Sequence, residues 1–201
     1  ASQPILATNA LSIIDTAAPD SLLTSSTTIT LASTGAASGV GTLLRPINTN
    51  GGALAATAGT GGIFLSEADS ATIGTVTSTG NGNISIINVA EGDLTTTGIV
   101  STTGAASTIT ITSLGDLSIG ANVTSGGGQI TLSANSNDNA VATDVFAQTA
   151  GTISGGPVTI NVNTLEGKKA FFELLKTADI FADGLRGGAC EAMGIGYEEQ
   201  R

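Results

Sequence analysis

The chain has 201 residues, with 16 acids against six bases, a formal net charge of −10. It holds no His and no Trp, one Cys and 28 glycines, and 40% of it is apolar with 11% charged. Without a histidine there is no Ser/His or Cys/His catalytic constellation. One cysteine leaves no disulfide framework, and the apolar fraction excludes intrinsic disorder.

Charge is unevenly spread. Residues 1–159 carry nine acids and a single base, Arg45, whereas residues 160–201 carry seven acids and five bases. An acidic body with one arginine does not neutralise a phosphate backbone, so nucleic acid is excluded as a partner. No apolar run approaches the ~18 residues of a membrane-spanning helix, so no membrane insertion is expected. Ala1 opens the chain in place of an initiator methionine, which reads as a mature form or a fragment.

Residues 1–26 form a lead-in or cap. Ile5-Leu6 and Leu11 to Ile14 read as short strands, and Thr16 to Pro19 as a turn. Residues 27–33 (TTITLAS) alternate apolar and polar, the mark of a half-buried strand. Residues 34–62 are rich in small residues and make one weak coil, with Leu43-Leu44 and Leu54 as apolar anchors and a loop at Arg45 to Asn48. Arg45 reads as a solvated loop residue, with a ligand contact as the alternative.

From Gly61 to Leu132 one phrase returns: Ile63-Phe-Leu65, Ile84-Ser-Ile86, Ile109-Thr-Ile111 and Ile130-Thr-Leu132, with fainter copies at Ile29-Thr-Leu31 and Val158-Thr-Ile160. From Ile63 to Val158 the starts are 21, 25, 21 and 28 residues apart. Periods of ~20–50 residues mark stacked repeats whose coils bury an apolar face only against one another. Between the triplets, Glu67-Ala-Asp69, Gly92-Asp93 and Gly115-Asp116 supply turn chemistry. The expected fold is mainly β: a right-handed parallel β-solenoid of about 5–6 irregular coils over residues 27–159, followed by a short α/β segment (helix, strand, loop, helix) over 160–201. A β-sandwich or an irregular Greek-key stack is the alternative.

Two acidic patterns bear on chemistry. Asp69, Asp93 and Asp116 recur at spacings of 24 and 23. They read as turn residues, and otherwise as a ladder for a cation or a pair of carboxylates acting on a polysaccharide. Asn135, Asn137, Asp138, Asn139 and Asp144 are weak candidates for a calcium loop, but Ala140 and Phe146 stand where it needs Gly and Glu. They read instead as a polar bulge from one coil. With only Cys190 and carboxylates available, a zinc site is not expected. No catalytic residue, metal or cofactor is assigned to the solenoid. Its long polar faces suit a glycan or protein ligand. The repeat, with few lysines and aromatics, resembles bacterial surface adhesins of the filamentous-haemagglutinin style. That resemblance implies a non-catalytic, secreted or cell-surface segment.

Near Ile160 the grammar changes. Four of six aromatics lie beyond it (Phe171, Phe172, Phe181, Tyr197), with the sole Cys and Met. Asn163 with Glu166 makes an N-cap signal. Phe171, Leu174, Leu175 and Ala178 then fall at i, i+3, i+4 and i+7 on one helical stripe. Asp179 to Ala182 reads as a strand, Gly184 to Gly188 as a loop, and Ala189 to Met193 as a helical turn ended by Gly194. A capping helix over the last coil, burying Phe171, Leu174 and Leu175 against Ile160, is a physically sensible outcome.

In this order, Thr164-Leu-Glu-Gly167, Leu174-Leu-Lys176, Ala178-Asp-Ile180, the loop at Arg186 and Met193-Gly-Ile-Gly-Tyr-Glu198 resemble an internal segment of class III CoA-transferases, the formyl-CoA-transferase and α-methylacyl-CoA racemase group. Leu165, Asn163 and Gly187 depart from that pattern. The resemblance implies that Arg186 contributes to a CoA site. It also implies that the family's nucleotide-binding start lies upstream of such a segment and its catalytic aspartate downstream. Neither is present here, so no CoA transfer is expected. CoA, and a cytoplasmic location, belong only to the alternative in which the chain is a fragment of such an enzyme.

Overall fold

The computed structural model describes residues 5–15, 21–136, 145–156, 158–160, 165–176 and 189–196. Its strands follow from the alternation of β-branched apolar residues with Ser and Thr, which suits a pleated surface buried on one side. The first four are β1 (Ile5–Asn9), β2 (Leu22–Ser33), β3 (Gly39–Val40) and β4 (Ile47–Ala58). The next coil holds β5 (Gly62–Glu67) and β6 (Ala71–Ser78). Two coils of three strands follow: β7 (Ile84–Asn88), β8 (Leu94–Thr96) and β9 (Val100–Thr102), then β10 (Ile109–Thr112), β11 (Leu117–Ile119) and β12 (Val123–Thr124). The last strands are β13 (Ile130–Ser133), β14 (Phe146–Gln148), β15 (Ile153–Ser154) and β16 (Val158–Ile160).

Every pairing between these strands is parallel, and each joins one coil to the next. The result is a β-solenoid of about five turns. One wall stacks β5, β7, β10, β13 and β16; a second stacks the first half of β6 with β8, β11 and β14; a third stacks the second half of β6 with β9, β12 and β15.

Register places like on like. On the first wall the columns are Ile63–Ile84–Ile109–Ile130–Val158 and Leu65–Ile86–Ile111–Leu132–Ile160. On the second they begin Ala71–Leu94–Leu117–Phe146, and on the third Val76–Val100–Val123–Ile153. Ile63, Ile84, Ile109, Ile111, Leu94, Leu117 and Val100 are at most 1% exposed. Burying each such side chain contributes about 1.5–3 kcal/mol. A slip of one residue would turn a whole column to solvent, so the pattern fixes the register.

Corners between the third and first walls are tight. A Cβ on Gly104 would stand 2.1 Å from the Gly80 carbonyl oxygen, and one on Gly128 2.0 Å from that of Ser107. Backbone meets backbone there from coil to coil, and only glycine fits.

The expectation for residues 34–62 needs correction at one point. Leu54 is buried, but Leu43 and Leu44 are 75% and 91% exposed and anchor nothing. They form the tip of a turn closed by an antiparallel bridge between Thr42 and Arg45, which projects between β3 and β4. The Arg45 N–H donates to the Thr42 carbonyl and hydroxyl oxygens, and Arg45 is exposed. β1 is a further rung of the same ladder, paired in parallel with β2 from Ile5↔Ile29 to Asn9↔Ser33.

At the other end, α1 (Leu165–Leu175) lies against β14 and β16, the last rungs of two walls. Phe171, Phe172 and Leu175 are half-buried, with the two phenyl rings edge to face at 5.6 Å. α2 (Ala189–Ala192) is one turn ended by Gly194 at φ +68°, whose N–H donates to the Glu191 carbonyl. The expected strand at 179–182 lies outside the described residues.

Candidate functional site

Asp93, Asp116, Asn83 and Asn122 share one position: each directly precedes the first apolar residue of a strand. Each side chain does the same work. Asn83 Oδ1 accepts from the Thr108 N–H at 2.9 Å, Asp93 Oδ1 from Asp116 at 2.9 Å, Asp116 Oδ1 from Val145 at 2.6 Å and Asn122 Oδ1 from Thr152 at 2.9 Å. The donor in every case is the residue at the corresponding position one coil further on. Asp69 differs: its Oδ1 accepts from the next residue, Ser70, and Ser70 Oγ accepts from the Asp93 N–H. These side chains extend the coil-to-coil ladder around the corners, where peptide groups would otherwise lack partners. The turn reading of the three aspartates accounts for the geometry. Asn83, Asn122 and Ser70 were not expected in this role; for the two asparagines the available signal was an Asn or Asp immediately before the first apolar residue of β7, β8, β11 and β12.

Inside the stack lies a polar column at the corner after the first wall, Thr49–Glu67–Asn88. All three are at most 1% exposed. Glu67 Oε2 accepts from Thr49 Oγ1 at 2.6 Å and Oε1 from the Gly51 N–H at 3.1 Å. Asn88 Nδ2 donates to the Asp69 carbonyl at 2.7 Å. Burial pushes the Glu67 carboxyl above its usual value, partly offset by the bonds from Thr49 and the Gly51, Asp69 and Ala68 N–H groups. A carboxyl sealed in the wall reaches no substrate, so its place is structural.

Of the weak calcium candidates, only Asn135 is described. It is buried at φ +46°, and its N–H donates to the Gly115 carbonyl, which makes it a corner of the stack. Asn137, Asp138 and Asp144 lie outside the described residues, as does Arg186. Among the described residues no three His, Cys, Asp or Glu converge as metal ligands.

A model of CoA-transferase family III matches residues 156–201. The match takes in β16, α1 and α2, so the last rung of the first wall lies within it. No curated protein and no solved structure matches the chain.

If Asp116 serves the stack through one acceptor oxygen, Asp116→Asn should be close to neutral in urea unfolding, while Asp116→Ala should cost about 1 kcal/mol. Equal losses from both would point to a need for the charge itself. Glu67 gives a pH test. Its folded-state value is raised, so its contribution is fully present below the unfolded-state value and is lost as pH rises through the folded one. Glu67→Gln keeps an acceptor for Gly51 and a donor for Thr49, and stays neutral. It should raise the melting temperature at neutral pH, with the gap closing on acidification. A gap that widens towards low pH would contradict this account.

Proposed function

We propose that the chain is a non-catalytic, adhesin-like segment of a secreted or cell-surface repeat protein, joined to an incomplete CoA-transferase-like piece. One observation carries this reading: the outward side chains form rows of hydroxyls, while the acids at the corners are taken up by the backbone. Ser85–Thr110–Thr131, Thr72–Thr95–Ser118 and Thr77–Ser101–Thr124 each run from coil to coil, half-buried. At the ~4.8 Å spacing of neighbouring strands such rows present donors and acceptors at regular intervals. This chemistry suits the hydroxyls of a glycan, or the polar rim of a protein ligand. Among the described residues no helix is long and apolar enough to cross a membrane. The extracellular location rests on the resemblance to surface adhesins.

A second reading has one observation in its favour, the family III match over residues 156–201. On that reading the chain is a fragment of a CoA-transferase, Arg186 contacts CoA, and the protein is cytoplasmic. The match spans under a quarter of the chain, and the aspartate that the family uses falls beyond the segment it resembles. Neither reading assigns a catalytic residue to this chain.

They part on binding. Calorimetric titration of the full chain with CoA should give no heat up to ~1 mM, and a glycan array probed with the same protein should retain it on particular glycans. CoA binding that Arg186→Ala abolishes, with a blank array, would overturn the first reading in favour of the second.

A further inference from the structure

We propose that Glu67 and Asn88 form a proton-binding site between two coils: a proton taken up by the Glu67 carboxyl is donated to Asn88 Oδ1, and its arrival ties the coil of β5 to the coil of β7. Three observations carry the inference.

The first is an acceptor without a donor. Asn88 is 1% exposed, and among the described residues nothing donates to its Oδ1. Its Nδ2 donates to the Asp69 carbonyl at 2.7 Å, which settles the orientation of the amide. The reverse orientation would set Oδ1 against that carbonyl, two acceptors face to face. A buried amide oxygen left without a hydrogen bond is costly, and such groups in folded proteins find a donor.

The second is its neighbour. Glu67 and Asn88 are register partners on β5 and β7, and both side chains are buried in the same column. Adjoining rungs of a sheet lie about 4.8 Å apart. The Asp69 carbonyl that holds Nδ2 is two residues beyond Glu67, so the Asn88 side chain reaches back to the coil of Glu67.

The third is the bonding of the carboxyl. Thr49 Oγ1 and the Gly51 N–H donate to its two oxygens from the coil on the other side. Towards β7 the ionised carboxylate meets an amide oxygen, which has no hydrogen to give. A protonated carboxyl has one O–H to donate and keeps lone pairs for Thr49 and Gly51. One proton therefore supplies the donor that Asn88 Oδ1 lacks. The step is the addition of a proton from solvent to a carboxylate oxygen, with no other bond formed or broken.

The charges around the site favour the same state. Thr49 and Gly51 of β4 and Asn88 of β7 are neutral. Asp69 on the same coil, and Glu91 and Asp93 on the next, are exposed at the corner, and acidic neighbours disfavour a further negative charge. Arg45 is exposed on the turn ahead of β4. Burial acts in the same direction and holds the Glu67 carboxyl above its usual value. The site fills as pH falls through the folded-state value, so acid tightens the contact between the two coils.

Carboxyl carbon NMR of the full chain, with Glu67 assigned through Glu67→Gln, tests the proposal. The Glu67 midpoint should lie above the ordinary glutamate value of about 4.3. Asn88→Leu keeps the shape of the side chain and removes the acceptor. It should lower the midpoint by about one pH unit, the loss of one hydrogen bond to the neutral form. A bystander amide replaced by alkyl would leave the midpoint unchanged or raise it, and either result would overturn the proposal. If Asn88→Leu does not fold, Asn88→Ser should give the same fall with its shorter side chain; the next coil already buries Ser113 directly after the Ile87↔Thr112 pair. A crystal structure below the midpoint should show a Glu67 oxygen about 2.7 Å from Asn88 Oδ1. A water held between the two would overturn the direct bond.

Discussion

Parallel registration of one coil on the next is the constraint from which the rest of this structure follows. A single coil offers a few apolar side chains on one side and loses more in chain entropy than it gains. Stacked, the same residues become columns in which Ile63, Ile84, Ile109 and Ile130 seal one another from water. The columns explain the composition. A narrow core takes Ile, Val and Leu, tight corners take Gly, and flat outer walls take Ser and Thr. Few positions remain where a lysine or an aromatic ring is needed.

The same constraint decides what the polar residues do. Each corner interrupts the ladder and leaves peptide groups in want of partners. Asn83, Asp93, Asp116 and Asn122 supply one acceptor apiece to the coil above. An Asn serves as well as an Asp in that role, which is why both occur at the same place. Recurrence of an acid in a repeat protein is therefore weak grounds for a cation ladder or a catalytic pair. Glu67 is the exception in kind, a carboxyl enclosed by Thr49 and the backbone, where burial works against its charge.

The solenoid was legible because its triplets alternate with period two, and their spacing matches one turn of a coil. α1 was legible from its apolar stripe, and the end of α2 from Gly194. Three things were not. Leu43 and Leu44 carry the same apolar signal as a core pair, and only the bridge between Thr42 and Arg45 turns them out to solvent. β1 was expected as a strand at Ile5-Leu6, but its register on β2, with Ile5 on Ile29, is set by pairing across the stack and by no local pattern. The corner acceptors act across 23 to 30 residues, beyond any local pattern. The junction is harder still. Val158-Thr-Ile160 fits the first-wall column in register with Ile130-Thr-Leu132, yet falls inside the CoA-transferase family III match. One strand satisfies two grammars, since both ask for β-branched residues on alternate positions.

The most direct test of the account is native-state hydrogen exchange across the whole chain. A single stack closed by a docked helix predicts slow exchange in Ile84–Ile86, Ile109–Ile111 and Ile130–Leu132, with measurable protection carried through Phe171–Leu175 in α1. Immediate exchange in α1 beside protected walls would contradict the docking of the helix on β14 and β16. Immediate exchange in the walls themselves would contradict the solenoid.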